Sequence, residues 1–217
     1  MRQFVVIGLS SFGHHLALQL ANNGCEVMVL DIDKDKIQDV KDYVSEAIVA
    51  DGCDKETLKS LGLEKADGVI VSLGSDMSAS ILITLYLKEL GIKEVIVKVL
   101  NEDHAKIVSK IGASSIIFPE RDMAVRLGDT LSSANVLDQL ELSPGYSLME
   151  IAPPQSFIGK SIKSLKIRSD YNVQVVAIRE LVPEKFNIIP SPDFIIKDSD
   201  VLVVLGKDED LERLKQV

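Results

Sequence analysis

With 217 residues and 46% hydrophobic content, the chain is long enough to bury one large core or two small ones. Its 33 acidic residues outnumber 24 basic ones, giving a formal charge of −9 with no basic stripe, which argues against a nucleic-acid partner. Charged residues break every apolar run well short of the roughly 18 residues a membrane span requires. Met1-Arg-Gln leads straight into a strand with no signal peptide, so a soluble, cytoplasmic protein is expected. Cys25 and Cys53 form neither a C-x-x-C pair nor a metal set and are read as reduced and at least half buried.

Residues 2–7 read as a strand, Gly8-Leu-Ser-Ser-Phe-Gly13 as a tight turn entering a helix, and residues 26–30 as a second strand ending at Asp31. This is how a dinucleotide-binding fold begins. A phosphate pair sits on the open N–H groups of a helix N-terminus, so the turn must bring backbone close without side-chain bulk. Gly8 suits the turn, Gly13 suits close packing of helix on sheet, and Asp31 suits the two hydroxyls of a ribose. Ser10 stands where the usual middle glycine would be and puts a small side chain in the path of the phosphate bridge.

Further along, residues 33–43 read as a charged helix and residues 46–50 as a third strand followed by Asp51-Gly52-Cys53-Asp54. Asp51 either contacts the adenosine end of a nucleotide or, like Asp54, caps the helix at residues 55–60. Residues 68–73 form a fourth strand with Gly74-Ser75-Asp76 as its exit loop, and residues 77–90 a helix. The fifth strand, residues 95–100, contains Lys98. Burying an unpaired lysine is costly, so it either meets an anion, a ligand or an interface, or snorkels to the surface. A helix at residues 103–111 and a strand at residues 115–118, stopped by Pro119-Glu120, complete a doubly wound parallel sheet.

Residues 121–140 carry a helix-like apolar pattern (Met123, Val125, Leu127, Leu131, Val136, Leu137) and read as a crossover helix linker over 121–143. Such a face suggests packing on a partner subunit or a second domain. Beyond the break at Ser143-Pro144-Gly145, residues 144–217 read as a small α+β module. Its strands are placed at 147–152, 173–179 and 200–205, with helices at 161–167 and 209–215 and a proline-rich loop between (Pro183, Pro190, Pro192). The three histidines do not form a metal pair, and His104 reads as a surface or capping residue. Lys98, Asp76 and His104 form an acid/base trio only on paper. A small NAD-dependent oxidoreductase is the competing reading, weakened by the lack of a substrate domain. A soluble redox or nucleotide sensor with another partner is a third.

Several segments together resemble one family. They are Phe4-Val-Val-Ile-Gly-Leu with Phe12-Gly13, Val29-Leu-Asp31, Ala50-Asp51, Thr84-Leu85 with Leu87-Lys-Glu-Leu90, Val97-Lys98, Gly112-Ala113 and Ile117-Phe-Pro-Glu120-Arg-Asp-Met123. The chain is similar over its whole length to the regulatory subunits of bacterial Ktr/Trk potassium-uptake systems. These have a regulator-of-K⁺-conductance fold with TrkA-N and TrkA-C halves. The resemblance implies a first half (residues 1–120) that binds ATP, ADP, AMP or NAD(H). It also implies a homodimer assembling into an octameric ring on the inner face of the membrane, beneath an integral membrane potassium transporter that nucleotide exchange gates.

Carried over, Gly8, Ser10, Ser11, Phe12 and Gly13 form the phosphate turn, Asp31 and Ile32 the ribose side, and Asp51, Gly52 and Cys53 the adenosine side. Leu73, Gly74 and Lys98 lie close to the ligand. Glu120 corresponds to a carboxylate that helps hold Mg²⁺ or Ca²⁺ between subunits. The C-terminal module is expected to be regulatory, with Ile162, Ile178 and Pro190 in the region where some members bind cyclic di-AMP. The family turn often reads Gly-Leu-Gly-Arg-Phe-Gly, and here Ser10 and Ser11 replace its second glycine and the arginine. Losing that arginine implies weaker or differently selective binding, of AMP or NAD(H) rather than ATP.

Overall fold

The computed structural model describes residues 1–132 and 136–215. They divide into two compact units, Met1–Glu120 and Arg121–Val217. In the first, strands and helices alternate: β1 (Gln3–Ile7), α1 (Ser11–Asn22), β2 (Glu26–Asp31), α2 (Lys34–Val40), β3 (Glu46–Val49), α3 (Lys55–Ser60), β4 (Gly68–Val71), α4 (Met77–Glu89), β5 (Val95–Lys98), α5 (Glu102–Ile111) and β6 (Ser115–Ile117). All pairings are parallel, in the order β3-β2-β1-β4-β5-β6.

The apolar runs explain this arrangement. Successive side chains of a strand point to opposite faces. Val5 and Ile7 therefore join Val69, Val71, Val95 and Val97 in one core, while Val6 joins Val27, Val29 and Ile70 in another. A strand apolar at every position needs helices on both sides, and each such side chain fully buried contributes about 1.5–3 kcal/mol. Each helix begins on a short polar cap, Ser10, Asp33, Asp54, Asp76 and Asn101 in turn, whose side chain accepts from backbone N–H groups of the first turn. Strand order reverses between β1 and β4, and a crevice opens at their carboxyl ends.

The helix α6 (Pro119–Ser132) follows β6, and among the described residues none of its side chains is buried. The second unit contains β7 (Val136–Ser143), β8 (Tyr146–Ile151), α7 (Ile162–Leu165), α8 (Ile167–Tyr171), β9 (Gln174–Leu181), β10 (Glu184–Ile188), β11 (Asp200–Lys207) and α9 (Asp208–Lys215). Its sheet is antiparallel, in the order β10-β9-β11-β8-β7. One core gathers Met149, Ile151, Val175, Ile178, Leu202 and Val204 from the strands with Ile167, Leu211 and Leu214 from the helices.

Two expectations are corrected here. Residues 136–140 are a strand and not the end of a crossover helix; residues 133–135 of that expected helix lie outside the described residues. Asp138 and Glu141 interrupt the helical repeat, while Leu140-Glu141-Leu142 alternates, and Leu140 and Glu141 pair with Leu148 and Ser147 of β8. Ser143-Pro144-Gly145, read as a composition break, is the turn of the β7–β8 hairpin, with Gly145 at φ +83°. The proline-rich segment also contains a strand, β10, which Pro183 and Pro190 bracket and do not interrupt. Among the described residues, no helix is long and apolar enough to cross a membrane.

Ile178 is fully buried at the centre of the second core. Ile178→Ala is expected to destabilise the C-terminal unit by about 2–5 kcal/mol, checked by urea unfolding.

Candidate functional site

The β1–α1 turn is built by close backbone approach. Gly8 sits at φ +93°, and a Cβ there would lie 2.5 Å from the Ser72 carbonyl oxygen. A Cβ on Gly13 would lie 2.3 Å from the Gly8 carbonyl oxygen, so α1 docks only because that position is bare. Ser10 needs no glycine, because its φ of −62° is ordinary for any residue. Its Oγ lies 2.6 Å from Ser72 Oγ and accepts from the Gly13 N–H at 3.4 Å, so the hydroxyl is turned onto β4's exit and the start of α1. Among the described residues, the Ser11 and Phe12 N–H groups have no acceptor and are the open donors of α1.

A cavity of about 480 Å³ lies at this point of strand-order reversal. Gly8 and Ser10 form its floor, Asp31 and Ile32 one flank, Asp51-Gly52-Cys53 the end, and Leu73 and Gly74 the opposite flank. Nine of the residues singled out in the sequence thus line one space. Asp31 also ties the turn to β2: Oδ2 accepts from the Leu9 N–H at 2.6 Å and Oδ1 from the Asp33 N–H at 2.9 Å. A carboxylate oxygen has more than one acceptor site, so Asp31 retains capacity for a ligand hydroxyl. Ile32 is 71% exposed at the rim and offers an apolar platform for a base.

The helix cap at α3 belongs to Asp54. Asp51 instead accepts from the Cys53 N–H at 2.8 Å and lines the cavity. Burial, then the neighbouring Asp51 and Asp76 carboxylates, push the Cys53 thiol up, so it is held as the neutral thiol. Cys25 and Cys53 are both free and partly buried.

Ser11, Phe12 and Gly13 do not line the cavity but form the helix start behind it. Lys98 and Glu120 do not line it either. Lys98, with its side chain 6% exposed, donates to the Glu120 carboxylate, which is 69% exposed. The anion that a lysine in β5 requires is therefore supplied by the first turn of α6, and the Lys98 hydrogen bond holds the Glu120 carboxyl below the usual carboxylate range. His104 corrects the expectation of a surface residue: it is 1% exposed, its Nδ1 accepts from the Leu100 N–H, and the backbone cap is Asn101. Burial lowers its pKa and favours neutral imidazole. Asp76 caps α4, Lys98 pairs with Glu120 and His104 is buried in α5, so the paper trio shares no hydrogen bond among the described residues.

The structure adds Lys36, Ser72, Ser75 and Asp76 to the lining. Lys36 Nζ lies 3.7 Å from Asp31 Oδ2. Its sequence signal was masked by a helix full of charges, and that of Ser72 by its place at the end of an apolar strand. In the C-terminal unit Ile162 lines a separate hollow with Lys163, Lys166 and Arg168, whereas Ile178 is core, and Pro190 is not among that hollow's lining residues.

Residues 4–119 match the TrkA-N domain and residues 147–217 the TrkA-C domain. The chain belongs to the TrkA-N/TrkA-C family. It is 41% identical over 215 residues to the Ktr system potassium uptake protein C of Bacillus subtilis, covering 99% of this chain and 96% of that one. It is 35% identical over 212 residues to the Ktr system potassium uptake protein A of Vibrio alginolyticus, covering 97% and 94%. Among solved structures it shares its fold with the GsuK channel bound to NAD, at a TM-score of 0.55 and 21% identity, spanning all of this chain and 38% of that one.

The Lys98–Glu120 pair is asymmetric, and this predicts asymmetric mutants. Glu120→Gln strands a buried ammonium and is expected to cost about 1–3 kcal/mol at pH 7, whereas Lys98→Met, which frees an exposed carboxylate to water, costs less. Because the folded pKa of Glu120 is depressed, its contribution is present above the unfolded value of about 4.3 and lost as pH falls through the folded value. Thermal melts at pH 7 and near pH 3 check this; the deficit of Glu120→Gln should shrink at the lower pH.

Proposed function

We propose that this chain is a non-catalytic regulatory subunit of a potassium-uptake system, in which the crevice of the first unit senses an adenine nucleotide and thereby gates a membrane potassium transporter. The observation that carries this is the convergence of nine expected nucleotide contacts on one cavity at the strand-order reversal, in a chain whose Ktr relatives match it nearly end to end. ATP, ADP, AMP and NAD(H) are the candidate ligands. Nothing in this reading requires bond making; the ligand acts by binding one conformation of the assembly better than another.

The assembly is a homodimer that builds an octameric ring, peripheral to the inner face of the membrane through the transporter subunit. The uncovered apolar residues of α6, Met123, Val125, Leu127 and Leu131, support self-association. Glu120 is exposed and presents an incomplete donor set, one carboxylate already accepting from Lys98. A Mg²⁺ or Ca²⁺ there requires the same carboxylate from a second copy, since carboxylate oxygens suit these cations and two-fold symmetry pairs a residue with itself.

Titration of the ligand-stripped protein with the four nucleotides, each paired with mass determination in solution, tests the reading. Binding of at least one by a dimer or octamer, and its co-purification with an integral membrane transporter subunit, is expected. A monomer that binds none of them overturns it.

A further inference from the structure

We propose a divalent-cation site of the Ca²⁺ type in the C-terminal unit, formed by Glu180 of β9, Asp200 of β11 and Asn187 of β10, with Lys197 as its tethered competitor. Glu180 and Asp200 stand directly opposite each other on antiparallel strands. Side chains two apart in a strand share a face, and these two flank the core residues Ile178 and Leu202 at that spacing. They are 8% and 2% exposed. Like charges directly opposite in a sheet repel, and buried ones need a counter-charge and hydrogen bonds.

Among the described residues, one ammonium meets the pair. Lys197 Nζ donates to Glu180 Oε2 at 2.6 Å, and the Lys197 backbone N–H donates to Asp200 Oδ2 at 2.8 Å, so one residue touches both carboxylates. Asn187 Nδ2 donates to Glu180 Oε1 at 2.6 Å but carries no charge, and Lys185 acts on Glu180 only at longer range. Asp200 Oδ1 is enclosed and has no hydrogen-bond partner among the described residues. The cluster is therefore one contacting positive charge short, and the shortfall falls on a buried oxygen.

A divalent cation supplies what is missing. Its two charges match two carboxylates, whereas a monovalent ion repeats what the ammonium already does. The oxygens on offer, two carboxylates and the Asn187 side-chain carbonyl, are hard donors without thiol or imidazole. Ca²⁺ accepts such an irregular set and completes its shell with water, while Mg²⁺ demands a near-ideal octahedron. Lys197 can give way, because its side chain is 49% exposed and its ammonium is free to swing into water. Occupancy would tie the edge strand β10 and the turn at residues 197–200 to the middle of the sheet.

Calorimetric titration of the metal-stripped full chain with CaCl₂ and with MgCl₂, to about 10 mM, tests the proposal. Each titration is repeated in Glu120→Gln, which removes the other carboxylate considered for a cation. Ca²⁺ is expected to bind at a site that Glu120→Gln leaves in place, and more tightly than Mg²⁺. In that background Glu180→Gln and Asp200→Asn are each expected to weaken Ca²⁺ binding about tenfold or more, since affinity follows ligand charge. Lys197→Met is expected to tighten it about tenfold, because the competing ammonium is gone. If Asp200→Asn does not fold, Glu180→Gln decides. Urea unfolding separates this from a lysine that is merely structural: Ca²⁺ is expected to restore the midpoint that Lys197→Met lowers. Absence of a Ca²⁺ site in Glu120→Gln overturns the proposal. So does Lys197→Met binding Ca²⁺ no more tightly than the chain with Lys197, or a lowered midpoint that Ca²⁺ leaves unchanged.

Discussion

Three stretches of backbone meet at the reversal of strand order with no side chain between them. The Gly8 carbonyl lies where a Cβ on Gly13 would be, and the Ser72 carbonyl lies where a Cβ on Gly8 would be. Helix α1, the end of β1 and the exit of β4 are locked together by this contact. Asp31 extends the lock to β2 through the Leu9 N–H, and the Ser10–Ser72 hydroxyl pair closes it on the β4 side. The walls of the crevice are therefore tied to one another by the fold's own hydrogen bonds.

The distribution of charge follows from the same geometry. Strand ends and helix caps are where short carboxylates belong, because each satisfies backbone N–H groups there. Asp31, Asp51 and Asp76 all do such structural work, and all three end up around one cavity. Local backbone chemistry thus gives the site a negative rim, against which the end of α1 is the main positive feature. Lys98, the cation of β5, is consumed in neutralising Glu120, which also spares the sheet an unpaired ammonium.

The C-terminal unit is organised on a different rule. Its antiparallel strands bury one face against α8 and α9, so alternate residues remain outside, among them Phe186 and Ile188 on β10. Met123, Val125, Leu127 and Leu131 of α6 are likewise exposed.

Much of this was legible in the residues. Uninterrupted apolar strands such as Val69-Ile70-Val71 demand helices on both faces, and Gly8, Gly13 and Asp31 at their spacing announce a phosphate turn and a ribose carboxylate, because these depend on local conformation and on periodicity. What sequence could not decide was anything set by distant partners. Val136 to Ser143 forms a strand only because β8 pairs with it. His104 is buried because α5 turns that face inward, and Ile178 belongs to a core and not to a pocket because β10 and β11 flank it. Lys36, Ser72 and Asp76 join the cavity, and Lys98 finds Glu120, through contacts between residues far apart in the chain, such as Ser10 and Ser72, 62 positions apart. Local propensity and periodicity fix most of the elements; whether residues 136–143 become a strand, and which side chains share one space, are fixed by pairing and packing, since only the folded sheets bring distant strands together.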